Sequence, residues 1–369
     1  MSPTERLRHL GQSLWLDDIT RDLLDSGTLA RFIADWSVTG LTSNPTIFDH
    51  AITHSTSYDH EIARLLDAGL SGEGLFFALA VQDLSRAADL FAPIHHRTAT
   101  VDGWVSLEVS PLLAHDAGRT IDAAKKLHSE AGKLNLFIKI PGTPEGLSAI
   151  EQATFHGVPI NVTLLFSPAQ YVAAANAYMT GLERRVDAGL PPDVRSVASL
   201  FISRWDRAVA DIVPLALRNR LGVTIGKVAY RIYRDQLESD RWQRLVNFGA
   251  RPQRLLFAST GTKDPTAPDT LYVQELAAPN TVNTMPEGTL KAMADHGTTT
   301  VVLPRDGGDG DLVLAEFEKA GVKIAALAEK LQVDGAEAFI LSWRDLLQAI
   351  EKKCTTLRRR TEAATERNR

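Results

Sequence analysis

The sequence predicts a single (β/α)8 barrel of the TIM type, an α/β fold, with extra helices. Three observations predict it. Short apolar segments that suit buried strands recur about eight times, helical patterns lie between them, and no linker rich in proline, glycine or serine divides the chain. The 369 residues suit two or three domains or one large α/β barrel. We expect one barrel domain over 1–352.

Most of the predicted strands have apolar residues at both odd and even positions, rather than alternating apolar and polar residues. This pattern is typical of parallel strands that are covered on both faces. In chain order the predicted strands are SLWLDDI (13–19), SVTGLTSN (37–44), GWVSLEVS (103–110), LNLFIKIP (134–141), PINVTLLFS (159–167), SVASLFIS (196–203), RLLFAST (254–260) and TVNTM (281–285).

Helical patterns fill the intervals between these strands. The clearest are YDHEIARLLDAGL, EGLFFALAVQDLSRAADLFAPI, DAGRTIDAAKKLHSEAG, PAQYVAAANAYMTGLERRVDAG and SDRWQRLVNFGA. The remaining segment, 353–369, is polar and charged, and we expect it to form a frayed C-terminal tail.

An open, doubly wound sheet is the competing α/β architecture. Such a sheet usually carries a glycine-rich phosphate turn after its first strand. Here the first strand ends in Asp17-Asp18-Ile19-Thr20, without GxGxxG or GxxxxGK[ST]. A barrel instead requires working residues near the C-terminal ends of several strands, and this sequence offers them.

Composition restricts the partners and the chemistry. Lys and Arg number 40 against 45 Asp and Glu, a formal net charge of -5, so we expect neither a nucleic-acid nor a membrane partner. The single cysteine, Cys354, excludes an internal disulfide. The ten histidines are dispersed without HxH or HExxH, so we expect no metal.

Because the sequence has neither an apolar run of about 18 residues nor a signal-peptide pattern, it predicts a cytoplasmic protein. Whether the chain forms a homo-oligomer stays open.

Polar residues collect toward the C-terminal ends of seven consecutive predicted strands. A shared pocket explains this arrangement of polar residues better than chance does. In chain order these residues are Asp17, Thr42, Asn44, Glu108, Lys139, Asn161, Thr163, Ser203, Arg204 and Ser259.

Lys139 gives the sharpest signal. It stands within LFIKIP among Phe137, Ile138 and Ile140, and lysine is almost never fully buried unless it is paired. Dry surroundings favour the uncharged amine, a nucleophile that can form a Schiff base with a carbonyl. The alternative is a lysine at a strand end that reaches water or pairs with a carboxylate.

Asp17 and Glu108 suit the proton transfers that Schiff-base chemistry needs. Water must leave the carbinolamine, and a hydroxyl proton must be lost when the C–C bond breaks. Two carboxylates that reach one cavity could act as general acid and general base. The alternative for Asp17 is a helix cap, although Asp18 is the better candidate for capping, and the alternative for Glu108 is a structural ion pair.

The other candidates suit substrate binding. Asn44, Asn161 and Thr163 carry short polar groups for substrate hydroxyls or a catalytic water, with a turn-forming role as the alternative for Asn44. Arg204 and Lys263 are placed on late loops, where barrels often bind phosphate. Each of these two cations could instead be a surface charge.

Several motifs occur in an order that is specific to one family. LTSNP follows a WLDD strand, and VSLEV, FIKIPGT, NVTLLFS and LFIS come after it. Together they resemble the transaldolase family, and LLFASTGTKDP and LYVQELAAPNTVNTMP resemble its longer bacterial subgroup. The match runs from about Leu14 to about Pro286, and more loosely to about Lys352.

The resemblance implies a lysine Schiff-base transferase of the non-oxidative pentose phosphate pathway, without cofactor or metal. Its substrates would be sugar phosphates. A dihydroxyacetone unit would move from sedoheptulose 7-phosphate or fructose 6-phosphate to glyceraldehyde 3-phosphate or erythrose 4-phosphate.

The resemblance also implies roles for single residues. Lys139 would carry the Schiff base, Asp17 would take the hydroxyl proton in C–C cleavage, and Glu108 would act with Thr163 on the catalytic water. The substrate-binding residues would be Thr42, Asn44, Asn161, Ser203, Arg204, Ser259 and Lys263. At the phosphate site the chain departs from the shorter members of the family. They have Ser-x-Arg after strand seven, where this sequence reads Ser259-Thr-Gly-Thr-Lys263, and here Arg204 directly follows Ser203.

Two other functions fit parts of this pattern. An aldolase that cleaves fructose 6-phosphate without an acceptor would use the same Lys139, Asp17 and Glu108. Release of dihydroxyacetone without an acceptor would identify it. A non-catalytic phosphosugar-binding barrel is expected to have lost one of these three residues, and this chain keeps all of them.

Overall fold

The strands of the chain close into a parallel barrel in which they pair in chain order and β1 joins β8. The computed structural model describes residues 1–299 and 302–367. The strands are β1 (Gln12–Asp17), β2 (Val38–Thr42), β3 (Trp104–Glu108), β4 (Leu136–Pro141), β5 (Ile160–Leu165), β6 (Ser196–Phe201), β7 (Gln253–Ala258) and β8 (Thr281–Met285). The predicted (β/α)8 barrel is confirmed, and each predicted strand overlaps an observed one.

Helices surround the barrel and extend it at both ends of the chain. In the described part of the chain they are α1 (Pro3–Leu10), α2 (Arg21–Asp25), α3 (Thr28–Asp35), α4 (Pro45–His54), α5 (Asp59–Asp67), α6 (Gly72–Arg97), α7 (Ala117–Ala131), α8 (Pro144–Phe155), α9 (Pro168–Asp187), α10 (Ser203–Val209), α11 (Leu221–Gln236), α12 (Asp240–Asn247), α13 (Leu271–Glu275), α14 (Glu287–His296), α15 (Gly310–Lys319) and α16 (Ile324–Arg367). Single 3-10 turns lie at Pro111–Leu113 and Leu215–Leu217. None of the described helices is both long and apolar enough to cross a membrane.

Short polar caps start the helices that follow several strands. Thr20, Asn44, Thr143 and Ser167 each accept a hydrogen bond from a backbone N–H in the first turn of the next helix. In three of these four helices proline follows the cap, where its missing N–H costs nothing. The helix cap that was the alternative for Asp17, with Asp18 as the better candidate, is provided by neither residue, because Thr20 caps α2.

Aromatic side chains fill the barrel below the site. Phe137 lies two residues before Lys139 on β4, so both side chains face the same side of the strand. Its ring stacks on Trp104 at a centroid distance of 4.1 Å and lies 6.1 Å from that of Trp15. A Cβ on Gly40 would meet Nε1 of Trp15 at 2.6 Å, so the indole occupies the space of a side chain there. Only the C-terminal half of the barrel is left for a pocket.

The last helix, α16, crosses the C-terminal end of the barrel. Nε2 of its buried Gln332 donates to two carbonyl oxygens at 3.0 Å each. One belongs to Gly142, which follows β4, and the other to Leu164 within β5. Further along, Nε1 of Trp343 donates to Glu73 on α6 at 2.8 Å. The predicted polar tail is helical through Arg367, and its last two residues lie outside the described residues. That the tail frays stays a prediction.

Candidate active site

A pocket of about 310 Å³ opens at the C-terminal end of the barrel. Most of the residues predicted for the site line it. They are Asp17, Thr42, Asn44, Lys139, Thr163, Arg204, Ser259 and Lys263. Because they come from β1, β2, β4, β5 and the segments after β2, β6 and β7, closure of the barrel is what brings them together.

Lys139 and Glu108 form a buried pair within the barrel. They are register partners on β4 and β3, so their side chains emerge side by side. Lys139 Nζ lies 3.0 Å from Glu108 Oε2 and donates to the carbonyl oxygen of Ser43 at 2.9 Å. Both residues are only 5% exposed. The ion pair that sequence analysis kept as an alternative is therefore present, and it involves the lysine that lines the pocket.

The carboxyl of Glu108 is poised to exchange protons. Burial raises the pKa of Glu108, while the amine of Lys139 acts in the opposite direction and Asp17 raises the pKa further. A carboxyl group with a raised pKa is a stronger base than an ordinary one, and its distance of 3.0 Å from Lys139 Nζ allows direct proton exchange with the amine.

Asp17 lies at the end of β1, half-buried, and is held by hydroxyl groups. Thr42 is its register partner on β2 and donates to Asp17 Oδ1 at 2.8 Å. The Thr42 hydroxyl oxygen also lies 2.8 Å from that of Thr284 on β8. This chain of hydroxyls fixes the carboxylate and leaves its second oxygen for the pocket.

Two small polar side chains complete the lower part of the pocket. Oγ1 of Thr163 is buried and has no hydrogen-bond partner among the described residues, so it can bind a water or a substrate hydroxyl. Asn44 caps α4, with Oδ1 accepting from the backbone N–H of Ile47 at 3.2 Å, and also lines the pocket. Its capping and binding roles are therefore compatible.

Two predicted substrate-binding residues do not line the pocket. Asn161 is fully buried, and its amide is used by Ser106 Oγ at 3.1 Å and Ser199 Oγ at 2.7 Å. Ser203 is the first residue of α10, beyond the end of β6, and its hydroxyl lies 2.9 Å from that of Ser259. Neither residue is among those that line the pocket, and their roles in substrate binding stay predictions. The two residues support Ser199 and Ser259, which do line the pocket.

Arg204 and Lys263 bring positive charge to the rim. Neither forms a salt bridge with any carboxylate of the described residues, although the Arg204 guanidinium lies 5.5 Å from the ring centroid of Phe201. Burial, with the charge of Arg207 nearby, lowers the pKa of Arg204, so an anion in the pocket would stabilise this cation. Both cations face the same pocket as Lys139.

The helix that carries Arg204 is fixed by a buried carboxylate. Asp206 accepts hydrogen bonds from the backbone N–H groups of Leu221 at 2.8 Å and Gly222 at 3.1 Å, at the start of α11, and from the Tyr272 hydroxyl at 2.9 Å. Burial raises the pKa of Asp206 to about 6. These bonds connect α10, α11 and α13 and hold the arginine in place.

Several residues that line the pocket were not predicted from the sequence. Ser199 and Phe201 belong to β6, and a serine inside the apolar run SVASLFIS was the available signal for the first of them. The others are Pro45, Thr46, Ile47, Ala258, Gly261, Thr284, Pro286, Ala338, Phe339 and Ser342. The last three come from α16, and the sequence offers no pattern that places them over the barrel.

Within 1–299 and 302–367, no group of three or more His, Cys, Asp or Glu side chains is arranged to hold a metal ion.

Comparison with known proteins agrees with the motifs. Residues 14–350 match the family described as Transaldolase/Fructose-6-phosphate aldolase. A transaldolase of Arthrobacter sp. (strain FB24) is 41% identical over 367 residues, which cover 97% of this chain and 99% of the relative. Transaldolases of Thermobifida fusca (strain YX) and Thiobacillus denitrificans (strain ATCC 25259 / T1) are each 43% identical, over 95% of this chain and 98% and 100% of their own lengths. As its motifs predicted, the chain belongs to the transaldolase/fructose-6-phosphate aldolase family.

Proposed function

We propose that this chain is a transaldolase of the non-oxidative pentose phosphate pathway. It moves a dihydroxyacetone unit from fructose 6-phosphate or sedoheptulose 7-phosphate to glyceraldehyde 3-phosphate or erythrose 4-phosphate. The observation that carries the proposal is the buried amine of Lys139, hydrogen-bonded to Glu108 in a pocket with cations at its rim. An amine in such a place suits covalent carbonyl chemistry, and the cations suit a phosphate.

Schiff-base formation uses the pair of Lys139 and Glu108. The amine attacks the C2 carbonyl of the ketose and gives a carbinolamine. Glu108, 3.0 Å from the nitrogen, takes a proton from the amine and returns it to the departing hydroxyl, so that one water leaves and the imine remains. The unpartnered hydroxyl of Thr163 is suited to hold the water of this step.

Cleavage of the C–C bond uses Asp17. Its carboxylate takes the proton of the C4 hydroxyl, the C3–C4 bond breaks, and the electron pair moves into the iminium. An enamine stays on Lys139 and an aldose phosphate leaves. When the acceptor aldehyde binds, the enamine carbon forms the new bond and Asp17 returns its proton to the new hydroxyl. One water then hydrolyses the product imine and frees the amine.

The rest of the pocket orients the sugar. Asn44 and Ser259 bind hydroxyl groups of the sugar. Arg204 and Lys263 neutralise the phosphate at the other end of the substrate. Asp206 acts at a distance, since it holds α10 and therefore Arg204.

Borohydride reduction in the presence of fructose 6-phosphate, followed by mapping of the modified lysine, tests the proposal. We expect the adduct on Lys139 alone, and none in Lys139→Met. Trapping at another lysine would refute the assignment. A second assay measures dihydroxyacetone with and without erythrose 4-phosphate. Release at the full rate without the acceptor would favour an aldolase, whereas the full-length relatives favour transfer.

A further inference from the structure

One wall of the pocket comes from outside the barrel. Phe339 of α16 lines the pocket, and its ring centroid lies 5.9 Å from Nζ of Lys139. The side chain is half-buried and packs against the core of the protein. An imine on Nζ would have its carbon one bond from this nitrogen. Phe339 therefore lies near the atoms that react.

The helix holds this ring between two fixed points. Gln332 and Trp343 lie seven residues before and four residues after Phe339, spacings that put all three on one face of α16. Gln332 is bonded to the ends of β4 and β5, and Trp343 is bonded to Glu73. These contacts on both sides of Phe339 fix the part of α16 that carries it.

A transferase must keep water from its intermediate. After cleavage, the enamine on Lys139 has two fates. It can attack the acceptor aldehyde, or its carbon can take a proton to give an iminium, to which water adds at C2. In the second case the carbinolamine collapses, with release of dihydroxyacetone and the free amine. The second route is net hydrolysis and consumes one water.

We propose that Phe339 is a specificity-determining residue that favours transfer over hydrolysis, because its ring excludes water from the intermediate on Lys139. The inference rests on the proposed transaldolase reaction. Phe339 is an apolar part of the pocket lining, and an apolar ring can neither give a proton to the enamine carbon nor orient a water beside it by hydrogen bonding. The pocket lining also includes the polar Thr163, and Glu108 lies beside Lys139, so these two residues suit the one water that the reaction needs.

The experiment measures a ratio. Full-length wild type, Phe339→Ala, Phe339→Leu and the control Leu341→Ala are supplied with fructose 6-phosphate and erythrose 4-phosphate, and both free dihydroxyacetone and transfer product are quantified. Leu341 lies on the same helix but is 59% exposed, outside the pocket. We expect Phe339→Ala to raise the ratio of hydrolysis to transfer by about tenfold, equal to about 1.4 kcal/mol in relative barrier height. Phe339→Leu should fall between Phe339→Ala and wild type, and Leu341→Ala should match wild type.

A purely structural role predicts a different result. Loss of packing would lower both rates together and leave the ratio unchanged, which would overturn the proposal. If Phe339→Ala does not fold, the ratio in Phe339→Leu decides, since leucine keeps the core contact but covers less of the pocket. Wild type that neither transfers nor traps would instead refute the proposed function itself.

Discussion

Lys139→Met separates the chemical role of the lysine from its part in stability. The substitution removes the cation of a pair in which both side chains are buried, with exposed fractions of 7% and 5%, and leaves the carboxyl of Glu108 behind. Methionine fills a similar volume, so we expect the barrel to fold without transfer activity. We also expect a loss of stability at pH 8 that the double variant Lys139→Met/Glu108→Gln largely reverses.

The magnitude follows from the geometry. Removal of one partner of a buried pair costs about 3–5 kcal/mol, and the lost bond to the Ser43 carbonyl adds about 1 kcal/mol. At roughly 2 °C per kcal/mol for a chain of this size, the melting temperature should fall by roughly 8–12 °C.

The loss of stability in Lys139→Met should depend on pH. Burial already raises the pKa of Glu108 above its ordinary value of 4.5, and Lys139 is the group that opposes this rise. A carboxyl whose pKa is raised on folding costs no stability at low pH, where it is protonated in both the folded and the unfolded protein. It destabilises the folded protein as pH rises through its folded pKa. Without Lys139 that destabilisation grows. The single variant should therefore approach wild type near pH 4.5 and fall furthest below it at pH 8.

Thermal unfolding of wild type and the two variants at pH 5 and pH 8, followed by circular dichroism, checks this. The double variant should show a smaller difference between the two pH values than the single variant, because the amide does not titrate. A single variant as stable as wild type at pH 8, or a double variant less stable than the single one, would refute the reasoning.

The other predictions concern the catalytic carboxylates, the phosphate and a buried acid. Glu108→Gln should slow formation of the borohydride-trapped adduct, and Asp17→Ala should allow the adduct but block C–C cleavage. Single-turnover trapping that finds the opposite order would exchange their roles. Arg204→Ala and Lys263→Ala should each lower kcat/KM for fructose 6-phosphate much more than for free fructose, and equal losses on both sugars would place the phosphate elsewhere. Because burial raises the pKa of Asp206 from 3.8 to about 6, its protonated form contributes stability that is lost as pH rises over that interval. Asp206→Asn should remove about 3 kcal/mol of this dependence, measured as the change in unfolding free energy between pH 4 and pH 7, and an unchanged dependence would contradict the assignment.

The barrel could be predicted because its strands are buried on both sides. A parallel strand between a packed interior and a layer of helices is apolar throughout, and such runs end sharply where a cap residue and a proline begin the next helix, as at Asn44 and Ser167. The same ends carry the site, so most of the pocket followed from the strands. The N-cap residues were harder to predict. Asp18 and Thr20 are both good candidates for the cap of α2, and only the turn geometry selects between them.

The differences between the predicted residues and the residues that line the pocket have one physical cause. The period of two along a strand tells which face a side chain takes, but not how far it lies from the open end of the barrel. Asn161 faces inward as expected and is buried one layer below Thr163, where other side chains use its amide. Ser203 lies past the end of β6, so Ser199, four residues earlier, takes the place in the pocket. Phe339 could not be found, because only the path of α16 brings it near Lys139.

The path of α16 also imposes an order in time on the making of the site. Ribosomes release the chain from its N-terminus, and β8 ends at Met285, well before Gln332 and Phe339 are synthesised. A nascent chain can thus close its barrel, with Lys139 already beside Glu108, while the pocket still lacks a roof. Synthesis of the site then ends with the docking of one helix, and a stop codon before that helix would remove the roof of the pocket together with core side chains such as Leu331 and Trp343.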